Sequence, residues 1–261
     1  MFNFRSISTI AVFLAPFFIG GFAFPSVKKQ QSIALVIPQQ LTVCSYAGFP
    51  PFEMLDEKGT WSGFDIDLMQ AFAQELNVKL VMVNSTMDGL IPSLLTKKCD
   101  LIASGFTITS DRSKVVSFSN PVIHIKTSLA ALDNPKNRIR FKEFNDFKQP
   151  QVRVAVHIGT AAYLYLKNNH KNIKPLVFND INEVVNAVSQ GKADAFIEDD
   201  IFIIELNKSL KNKFLMFRSD ILSPIAMAFT RQNLELRISF DRFLKHLEET
   251  GELKKITKKW F

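Results

Sequence analysis

The stretch FDIDLMQAFAQELNVKLVMV, residues 64–83, changes its hydrophobic period from that of a helix to that of a strand. Apolar side chains recur at every fourth position from Phe64 to Leu76, which predicts a helix over 64–77. The next segment, 78–83, is short and rich in Val, which predicts a strand. A helix that leads directly into a buried strand is typical of α/β proteins with parallel sheets.

The same alternation continues on both sides of this stretch. A strand, a helix and a further strand are predicted around it at 41–45, 87–97 and 101–103. After a break rich in Asn and Pro, strands and helices alternate again at 152–157, 161–168, 176–178, 181–190 and 195–197. The last segment, 233–261, is an amphipathic helix interrupted at Gly251. These patterns predict two α/β units in succession.

The composition fits one large domain or two small ones. The 261 residues are 47% hydrophobic and 22% charged, which excludes an intrinsically disordered chain. Two cysteines exclude a disulfide-dense scaffold and a multi-cysteine metal site, and the four histidines stand far apart in the sequence. With no Walker loop and no metal motif, we expect no cofactor.

The net charge of +7 raises the question of a nucleic-acid or membrane partner. The lysines near the C-terminus, Lys254, Lys255, Lys258 and Lys259, are better explained as the solvated face of a helix. The sequence therefore predicts no nucleic-acid partner.

Residues 1–23 have the pattern of a secretory signal peptide. Arg5 precedes an apolar stretch, and the stretch ends in a small-x-small sequence at Ala23, which a signal peptidase recognises. A membrane anchor is the alternative, but Pro16 and a pair of glycines interrupt the apolar run. We expect cleavage near Ala23, a polar leader over 24–40, and a soluble protein exported to the periplasm.

Export makes a disulfide between Cys44 and Cys99 chemically possible. Both cysteines lie in apolar, strand-like segments, where a buried free cysteine is a common outcome. We therefore expect two buried thiols rather than a bridge.

Three loops carry the residues that a binding site between two α/β units would need. The first is YAGFPPFE, residues 46–53, and the second is SGFTITSDR, residues 104–112. The third combines Gly159-Thr160 with Glu198-Asp199-Asp200. Ligands of open α/β sheets bind outside the carboxyl ends of the strands, so we expect these loops to line a cleft.

The motifs PPFE, GFDIDL, LIPSLLTKKCD, SGFTITSDR and FSNP follow one another in this order, and the chain closes with EETGELKKITKKWF. From about residue 41 to residue 261, the sequence resembles the extracellular solute-binding proteins of polar amino acid ABC transporters. The resemblance implies an α/β, two-lobe periplasmic-binding-protein type II fold with a two-strand hinge and an inter-lobe ligand cleft. Lobe 1 would comprise 41–125 and 223–261, and lobe 2 would comprise 126–222.

The same resemblance implies a function. A monomeric binding protein would capture a free amino acid between two closing lobes and deliver it to an ABC transporter permease in the inner membrane. An enzyme like the cyclohexadienyl dehydratases, with Glu198 as a conceivable general acid, is one alternative. An amino acid sensor that acts without a transporter is the other.

The resemblance assigns the two charged ends of an amino acid to named residues. Arg112 would bind the α-carboxylate, assisted by Thr107 and by the loop N–H groups near Gly105, where glycine lets the backbone approach closely. Asp199 and the oxygen atoms of Ser104 would face the α-ammonium. The structural alternatives are a surface salt bridge for Arg112 and a surface loop acid for Asp199.

Further positions concern the second lobe and the ligand side chain. Thr160 would contact the carboxylate from lobe 2, or it would only cap a helix. Phe49 would stack on the ligand side chain with Met87 as the opposite wall, or Phe49 would be a core aromatic; Phe52 is expected to pack in the core. At Tyr46, many binders of cationic amino acids have an acid.

The absence of an acid at Tyr46 puts specificity for lysine or arginine in doubt, and Glu53 is the nearest remaining acid of the first lobe. Ala161 stands where Thr is frequent, and Val122-Ile123 replaces a common aromatic pair. The side-chain pocket is therefore expected to be more apolar than is usual in the family.

Overall fold

The computed structural model describes residues 39–261, which form two five-stranded sheets with helices packed on them. The predicted signal peptide over 1–23, and all but the end of the predicted leader over 24–40, lie outside the described residues. Within 39–261, no helix combines the length and the apolar character needed to cross a membrane.

The secondary-structure elements alternate along the chain. The strands are β1 (Gln40–Ser45), β2 (Met54–Leu55), β3 (Trp61–Ser62), β4 (Lys79–Asn84), β5 (Leu101–Ile102), β6 (Ser117–Phe118), β7 (Ile123–Leu132), β8 (Val154–His157), β9 (Leu176–Phe178), β10 (Ala195–Asp199), β11 (Phe214–Ile225) and β12 (Ala228–Phe229). The helices are α1 (Phe64–Glu75), α2 (Leu90–Leu95), α3 (Ser110–Ser113), α4 (Pro135–Arg140), α5 (Ala161–Asn169), α6 (Ile181–Ser189), α7 (Asp200–Ser209), α8 (Leu234–Thr250) and α9 (Glu252–Trp260), with a 3₁₀ helix over Phe144–Lys148.

The first sheet is the centre of lobe 1 and has the strand order β4–β1–β5–β12–β6. β1 runs parallel to both β4 and β5, with Val43 opposite Met82 on one side and Leu101 on the other. β12 runs antiparallel to β5 and β6. The parallel part confirms the sheet type that the alternation of strands and helices predicts.

The second sheet is the centre of lobe 2 and has the order β11–β7–β10–β8–β9. β8 runs parallel to β9 and β10, whereas β7 runs antiparallel to β10 and β11. The carboxyl ends of β8 and β10 therefore open at the same edge of the sheet.

Helix α1 confirms the predicted helix over 64–77, with a slightly earlier end. It begins after Gly63, whose φ is 137° and where a Cβ would lie 2.2 Å from the carbonyl oxygen of Phe52. Only glycine fits so close an approach. The chain leaves the helix at Asn77 with a φ of 55°, which asparagine tolerates better than most residues.

Helix α2 is shorter than the prediction over 87–97. If the helix began at Met87, the residue at Pro92 would have to donate an N–H to the carbonyl of Asp88, and proline has no N–H. The helix instead begins at Leu90, so that Pro92 lies in its first turn. Met87 and Asp88 therefore belong to a turn at the cleft rather than to a helix.

Two long antiparallel strands, β7 and β11, connect the lobes. Both belong to the second sheet, and their register shifts between Arg218 and Leu222. At the lobe 1 end of β11, Ile225 pairs with Thr107, and the N–H of Ile108 donates to the carbonyl of Pro224 at 2.8 Å. The predicted crossings near 123–126 and 219–223 fall within these strands, while the lobe boundaries inside them stay a prediction.

The C-terminal helices pack back onto lobe 1, as the amphipathic pattern over 233–261 predicts. The rings of Phe240 and Phe243 lie 5.1 and 5.2 Å from that of Phe72 on α1. The indole N–H of Trp260 donates to Asp67 at 2.8 Å. α8 ends at Gly251, whose φ of 75° is the left-handed conformation expected of a helix C-cap.

Cys44 and Cys99 form a disulfide, so the expectation of two buried free thiols is wrong. β1 and β5 are neighbours in the first sheet, and Cys99 lies just before β5. This arrangement brings the two Cα atoms to 5.6 Å, a normal distance for a bridge. The local sequence shows that both cysteines lie in apolar segments, but it does not show that these segments are adjacent in the sheet.

Replacing both cysteines by alanine should lower the free energy of unfolding by about 2–4 kcal/mol, because the bridge closes a loop of 55 residues and restricts the unfolded chain. Urea unfolding of the oxidised protein and of the double variant measures the difference. Thiol titration of the denatured, unreduced protein is the control. Two titratable thiols in that sample would contradict the assignment.

Candidate ligand-binding site

The candidate site lies where the carboxyl ends of the parallel strands of the two sheets face each other. Lobe 1 supplies the loops after β1 and β5 together with α3. Lobe 2 supplies the loop after β8 and the junction between β10 and α7. The lobes meet directly, since Arg112 donates to the carbonyl of Gly159 at 2.8 Å and Tyr46 donates to Asp180 at 2.9 Å. The three predicted loops therefore line one cleft.

Arg112 is buried in this cleft, with 4% of its surface exposed, so the alternative of a surface salt bridge is wrong. Its backbone N–H donates to the side chain of Thr109, which caps α3, and its guanidinium lies 3.7 Å from the centroid of the Phe106 ring. Two guanidinium N–H groups donate to the carbonyls of Thr107 and Gly159, at 2.7 and 2.8 Å. A guanidinium has five N–H donors, so others remain for a ligand.

Two neighbouring acids of lobe 2, Glu198 and Asp199, act on Arg112 through their charges. Burial lowers the pKa of Arg112 to about 9, and the carboxylates of Asp199 and Glu198 oppose that change. Burial raises the pKa of Asp199 to about 7, with a further rise from Asp200 and an opposing effect of Arg112. No hydrogen bond between Arg112 and either acid is present among the described residues, so the opposite charges face each other without direct pairing.

Two fully buried acids of lobe 1, Glu53 and Asp65, accept hydrogen bonds from the loop after β5. The Ser104 hydroxyl donates to Glu53 at 2.9 Å and accepts the N–H of Tyr46 at 2.9 Å. The N–H of Gly105 donates to Asp65 at 2.7 Å. The Ser104 hydroxyl and the Gly105 N–H thus hold the loop in place through hydrogen bonds within the protein. That the oxygen atoms of Ser104 face an ammonium group stays a prediction.

The aromatic rings packed against Gly105 leave little space for a side chain at this position. The φ of Gly105 is +50°, and a Cβ there would lie 3.2 Å from the ring of Phe49 and 3.3 Å from that of Phe52. These rings explain the glycine at position 105, while the predicted approach of its backbone to a ligand stays a prediction. Phe52 is completely buried, as expected, and its ring packs on Phe64 at 6.1 Å.

Phe49 stacks on a residue of lobe 2 that the sequence did not single out. Its ring is parallel to that of Phe202 at 5.1 Å, and it also stacks on Phe52 at 6.0 Å. In this structure Phe202 thus occupies the face that Phe49 was predicted to offer to the ligand side chain. The only sequence signal at Phe202 is a large apolar residue shortly after Asp199 at the start of α7.

Tyr46 joins the lobes through its hydroxyl. Besides donating to Asp180, the hydroxyl accepts the N–H of Ile181 at 3.4 Å, at the start of α6. Its ring lies 5.0 Å from that of His157. Burial is the largest cause of a pKa of Tyr46 well above its ordinary value, so the hydroxyl stays protonated and donates.

Met87 and Arg112 line the same cavity of about 220 Å³, together with Gly159 and Leu164. A neighbouring cavity of about 530 Å³ shares Leu164 and extends towards the long strands β7 and β11. The structure thus places Met87 and Arg112 at one cavity, while the role of Met87 as a wall for the ligand side chain stays a prediction.

Thr160 caps α5 in this structure. Its hydroxyl accepts the N–H of Tyr163 at 3.2 Å and donates to the carbonyl of His157 at 2.8 Å. The alternative of a helix cap is therefore confirmed, while a contact with a ligand carboxylate stays a prediction. Next to it, a Cβ on Gly159 would lie 2.7 Å from the backbone N of Asp88 in lobe 1.

Among residues 39–261, no three His, Cys, Asp or Glu side chains come together in an arrangement that could hold a metal ion. The polar groups of the cleft are instead a guanidinium, carboxyl groups, hydroxyls and backbone groups. Such a set can bind a small zwitterion through charge-assisted hydrogen bonds.

The buried acids predict a pH dependence of stability. Burial raises the pKa of Asp65 to about 7 and that of Glu53 well above its ordinary value. The folded protein then keeps protons that the unfolded chain releases near pH 4, so this stabilisation is complete below about pH 4 and is lost as the pH rises through about 7. The Tm should fall by at least about 3 °C between pH 5 and pH 8.

The variant Asp65→Asn keeps an acceptor for the N–H of Gly105 and removes one titrating group, so its Tm should fall less over the same interval. Asp220→Asn, on an exposed position, is the matched control and should behave as the unmodified protein. Thermal unfolding followed by circular dichroism measures all three. Equal pH slopes for Asp65→Asn and the unmodified protein would contradict the role of Asp65.

Comparisons with known proteins agree with this geometry. The family model of the bacterial extracellular solute-binding proteins, family 3, matches residues 41–261. The chain is 30% identical over 219 residues to the arginine-binding periplasmic protein of Mannheimia haemolytica, which covers 81% of this chain and 87% of that protein. It is also 30% identical over 225 residues to the probable histidine-binding protein of Neisseria gonorrhoeae, covering 84% of this chain and 82% of that protein.

Solved structures show the same fold. An ancestral arginine-binding protein bound to arginine is similar with a TM-score of 0.77 and 29% identity, covering 86% of this chain and 99% of that chain. An ancestral amino acid-binding protein described as a precursor of cyclohexadienyl dehydratase has a TM-score of 0.78 and 33% identity, covering 85% and 96%. These similarities confirm the two-lobe type II fold, and the chain belongs to the bacterial extracellular solute-binding proteins of family 3.

Proposed function

We propose that this protein captures a polar amino acid in the cleft and delivers it to an ABC importer. The observation that carries the proposal is the placement of two charged side chains, Arg112 and Asp199. The two side chains have opposite charge, come from different lobes, are both buried, and do not pair directly with each other. A zwitterion has the complementary charges, a carboxylate for Arg112 and an ammonium for Asp199.

The absence of a capping hydrogen bond at the Asp199 side chain supports its proposed role. Asp199 occupies the N-cap position of α7, yet its side chain makes no capping hydrogen bond. An aspartate at this position commonly accepts a backbone N–H. A carboxyl group with 5% exposure and no capping partner is therefore available to an ammonium group, while the neighbouring Asp200 is paired with Arg218 at 2.8 Å.

Closure of the lobes is part of the proposed mechanism. We take lobe 1 as 41–125 and 223–261 and lobe 2 as 126–222, so that β7 and β11 form the hinge. The amino acid would first meet Arg112 on lobe 1, and Asp199 would then close over it. A ligand stabilises the closed form only through contacts that it makes there and not in the open form.

The proposal extends to the protein's location and partners. Relatives named as periplasmic binding proteins support export. Cleavage near Ala23 and a monomer that docks on an inner-membrane permease are further parts of the proposal. Names such as ABC transporter arginine-binding protein 1 of Escherichia coli support delivery to an importer. These relatives are named as binding proteins, which supports binding over the dehydratase alternative.

Removing either charged group of the site should weaken binding by at least about 100-fold, because the ligand's own charge is then buried without its partner. A thermal-shift screen of the twenty amino acids, ornithine and citrulline first finds the best binder. Calorimetry with that amino acid then compares Arg112→Ala and Asp199→Asn with two exposed controls, Arg242→Ala and Asp220→Asn. Unchanged affinity in either site variant would contradict the assignment, as would a screen without any binder.

Gly159→Ala should prevent tight closure, since the added Cβ would meet the backbone N of Asp88 at 2.7 Å. Gly191→Ala is the matched control, because Gly191 has a similar φ of +71° and nothing within 4 Å of the added Cβ. Both variants carry comparable backbone strain, so the comparison isolates the clash. We expect Gly159→Ala to lose affinity by about tenfold or more in calorimetry, which corresponds to about 1.4 kcal/mol.

Small-angle scattering supplies the second measurement for the glycine variants. The unmodified protein and Gly191→Ala should become more compact when the best binder is added, whereas Gly159→Ala should contract less. Equal contraction and equal affinity in the two variants would show that the contact between Gly159 and Asp88 does not limit closure.

A further inference from the structure

Three polar side chains lie in one row across the second sheet, at the edge that faces lobe 1. Glu198 on β10 is directly opposite Ser128 on β7. β10 also runs parallel to β8 with Phe196 opposite Ala155, so the same register places Glu198 opposite His157. Residues opposite each other on neighbouring strands direct their side chains to the same face of the sheet.

Each member of the row has a buried atom without a hydrogen-bond partner among the described residues. These atoms are the hydroxyl oxygen of Ser128, one carboxyl oxygen of Glu198 (Oε2), and Nδ1 of His157. Ser128 and His157 are fully buried, and Glu198 is 2% exposed. Buried polar atoms are nearly always hydrogen-bonded, so three such atoms in one row indicate a partner that the protein does not itself provide.

The row faces the site rather than the interior of lobe 2. The ring of Tyr46, from lobe 1, lies 5.0 Å from that of His157. The charge of Glu198 acts on two residues of lobe 1, since it raises the pKa of Tyr46 and opposes the lowered pKa of Arg112. The charge of Glu198 is therefore felt on the lobe 1 side of the cleft, at Tyr46 and at Arg112.

The free atoms of the row are mainly acceptors. Nε2 of His157 lies 3.1 Å from the carbonyl of Asn179, which can only accept, so Nε2 carries the proton and Nδ1 is a free acceptor. Oε1 of Glu198 accepts the N–H of Asp199 at 3.1 Å, and Oε2 is a free acceptor when the carboxyl group is ionised. Burial raises the pKa of Glu198 well above its ordinary value, and a cation beside it would favour the ionised form. A ligand group that satisfies this row has to bring several N–H donors.

The charges of the cleft favour a donor that is also a cation. The carboxylate and ammonium of an amino acid would neutralise Arg112 and Asp199, and Glu198 would then be the buried acid of the row that has no counter-charge. Of the other acids nearby, Asp180 accepts from Tyr46 and Asp200 pairs with Arg218. Asp88, which lines the cavity beside Arg112, is exposed to solvent. A buried carboxylate without a counter-charge is unfavourable, so a second positive charge on the ligand would complete the site.

We propose that Ser128, His157 and Glu198 form a distal subsite that holds the guanidinium or ammonium group at the end of a basic amino acid side chain. This inference rests on the proposed function, because it needs the α-carboxylate at Arg112. The subsite also explains how a cationic ligand could bind although Tyr46 stands where many binders of cationic amino acids have an acid. The negative charge that lobe 1 lacks at Tyr46 is supplied by lobe 2 at Glu198.

Calorimetry with L-arginine and L-citrulline tests the subsite, because citrulline has nearly the same shape and no side-chain charge. The unmodified protein should bind arginine about 10- to 100-fold more tightly than citrulline, the range expected for hydrogen bonds to a charged group. Glu198→Gln should remove most of that preference by weakening arginine binding, with little change for citrulline. Glu205→Gln, an acid on the outer part of α7 paired with Lys208, is the matched control and should keep the preference.

Several outcomes would overturn the subsite while leaving the proposed function intact. One is an unmodified protein that binds an α-amino acid but prefers arginine over citrulline by less than about threefold. Another is an equal loss of both ligands in Glu198→Gln, which would indicate a structural role for Glu198. In contrast, failure of every amino acid to bind, or binding that survives Arg112→Ala, would overturn the proposed function itself.

Ser128→Ala keeps the test decisive if Glu198→Gln does not fold. This smaller change removes one hydrogen-bond partner of the distal group, so the arginine preference should fall by about three- to tenfold. Lysine and ornithine, measured on the same proteins, show whether the subsite prefers a planar guanidinium or an ammonium. A crystal structure with arginine in which only water contacts the row would also overturn the proposal.

Discussion

The constraint on which the cleft depends is the burial of the Arg112 guanidinium. A cation that is removed from water needs hydrogen bonds and opposite charge, or its burial is strongly unfavourable. Here the carbonyl of Thr107 comes from lobe 1 and that of Gly159 comes from lobe 2, while the acids that compensate its charge lie on lobe 2. The environment of Arg112 is therefore complete only when the lobes are together. Binding of an anionic group at Arg112 and closure of the cleft become linked by this arrangement.

The buried acids of the site lower the free energy of unfolding, and the same acids hold or form parts of the site. Burial raises the pKa of Asp65, which holds the backbone of Gly105, and that of Asp199, which faces Arg112. Burial of these two carboxyl groups lowers the stability of the folded protein, because both are removed from water without a direct ion pair. Violations of the ordinary rules for polar burial are expected at functional sites. In this protein the two carboxyl groups lie in the first turn of α1 and at the end of β10.

The sequence predicted most of the elements and the loops of the site, because these depend on local pattern. Period, glycine positions and proline positions gave α1, β4, α6 and the break at Gly251 close to where they lie. The resemblance to a family supplied the two-lobe fold and Arg112. The prediction failed for the pairing of Cys44 with Cys99, and it did not single out Phe202, which stacks on Phe49. Each failure concerns a contact between segments that are distant in the sequence.

The sequence by itself determined the alternation of strands and helices, the polar loops that follow the strands, and the chemical types available in the cleft. Only the tertiary structure decided which side chains meet. It placed Phe202 against Phe49, and it aligned Ser128, His157 and Glu198 in one row across three strands. The physical reason is that hydrophobic period and turn chemistry act over a few residues. Strand register and lobe packing join residues far apart in the chain, and no local pattern records which partners they bring together.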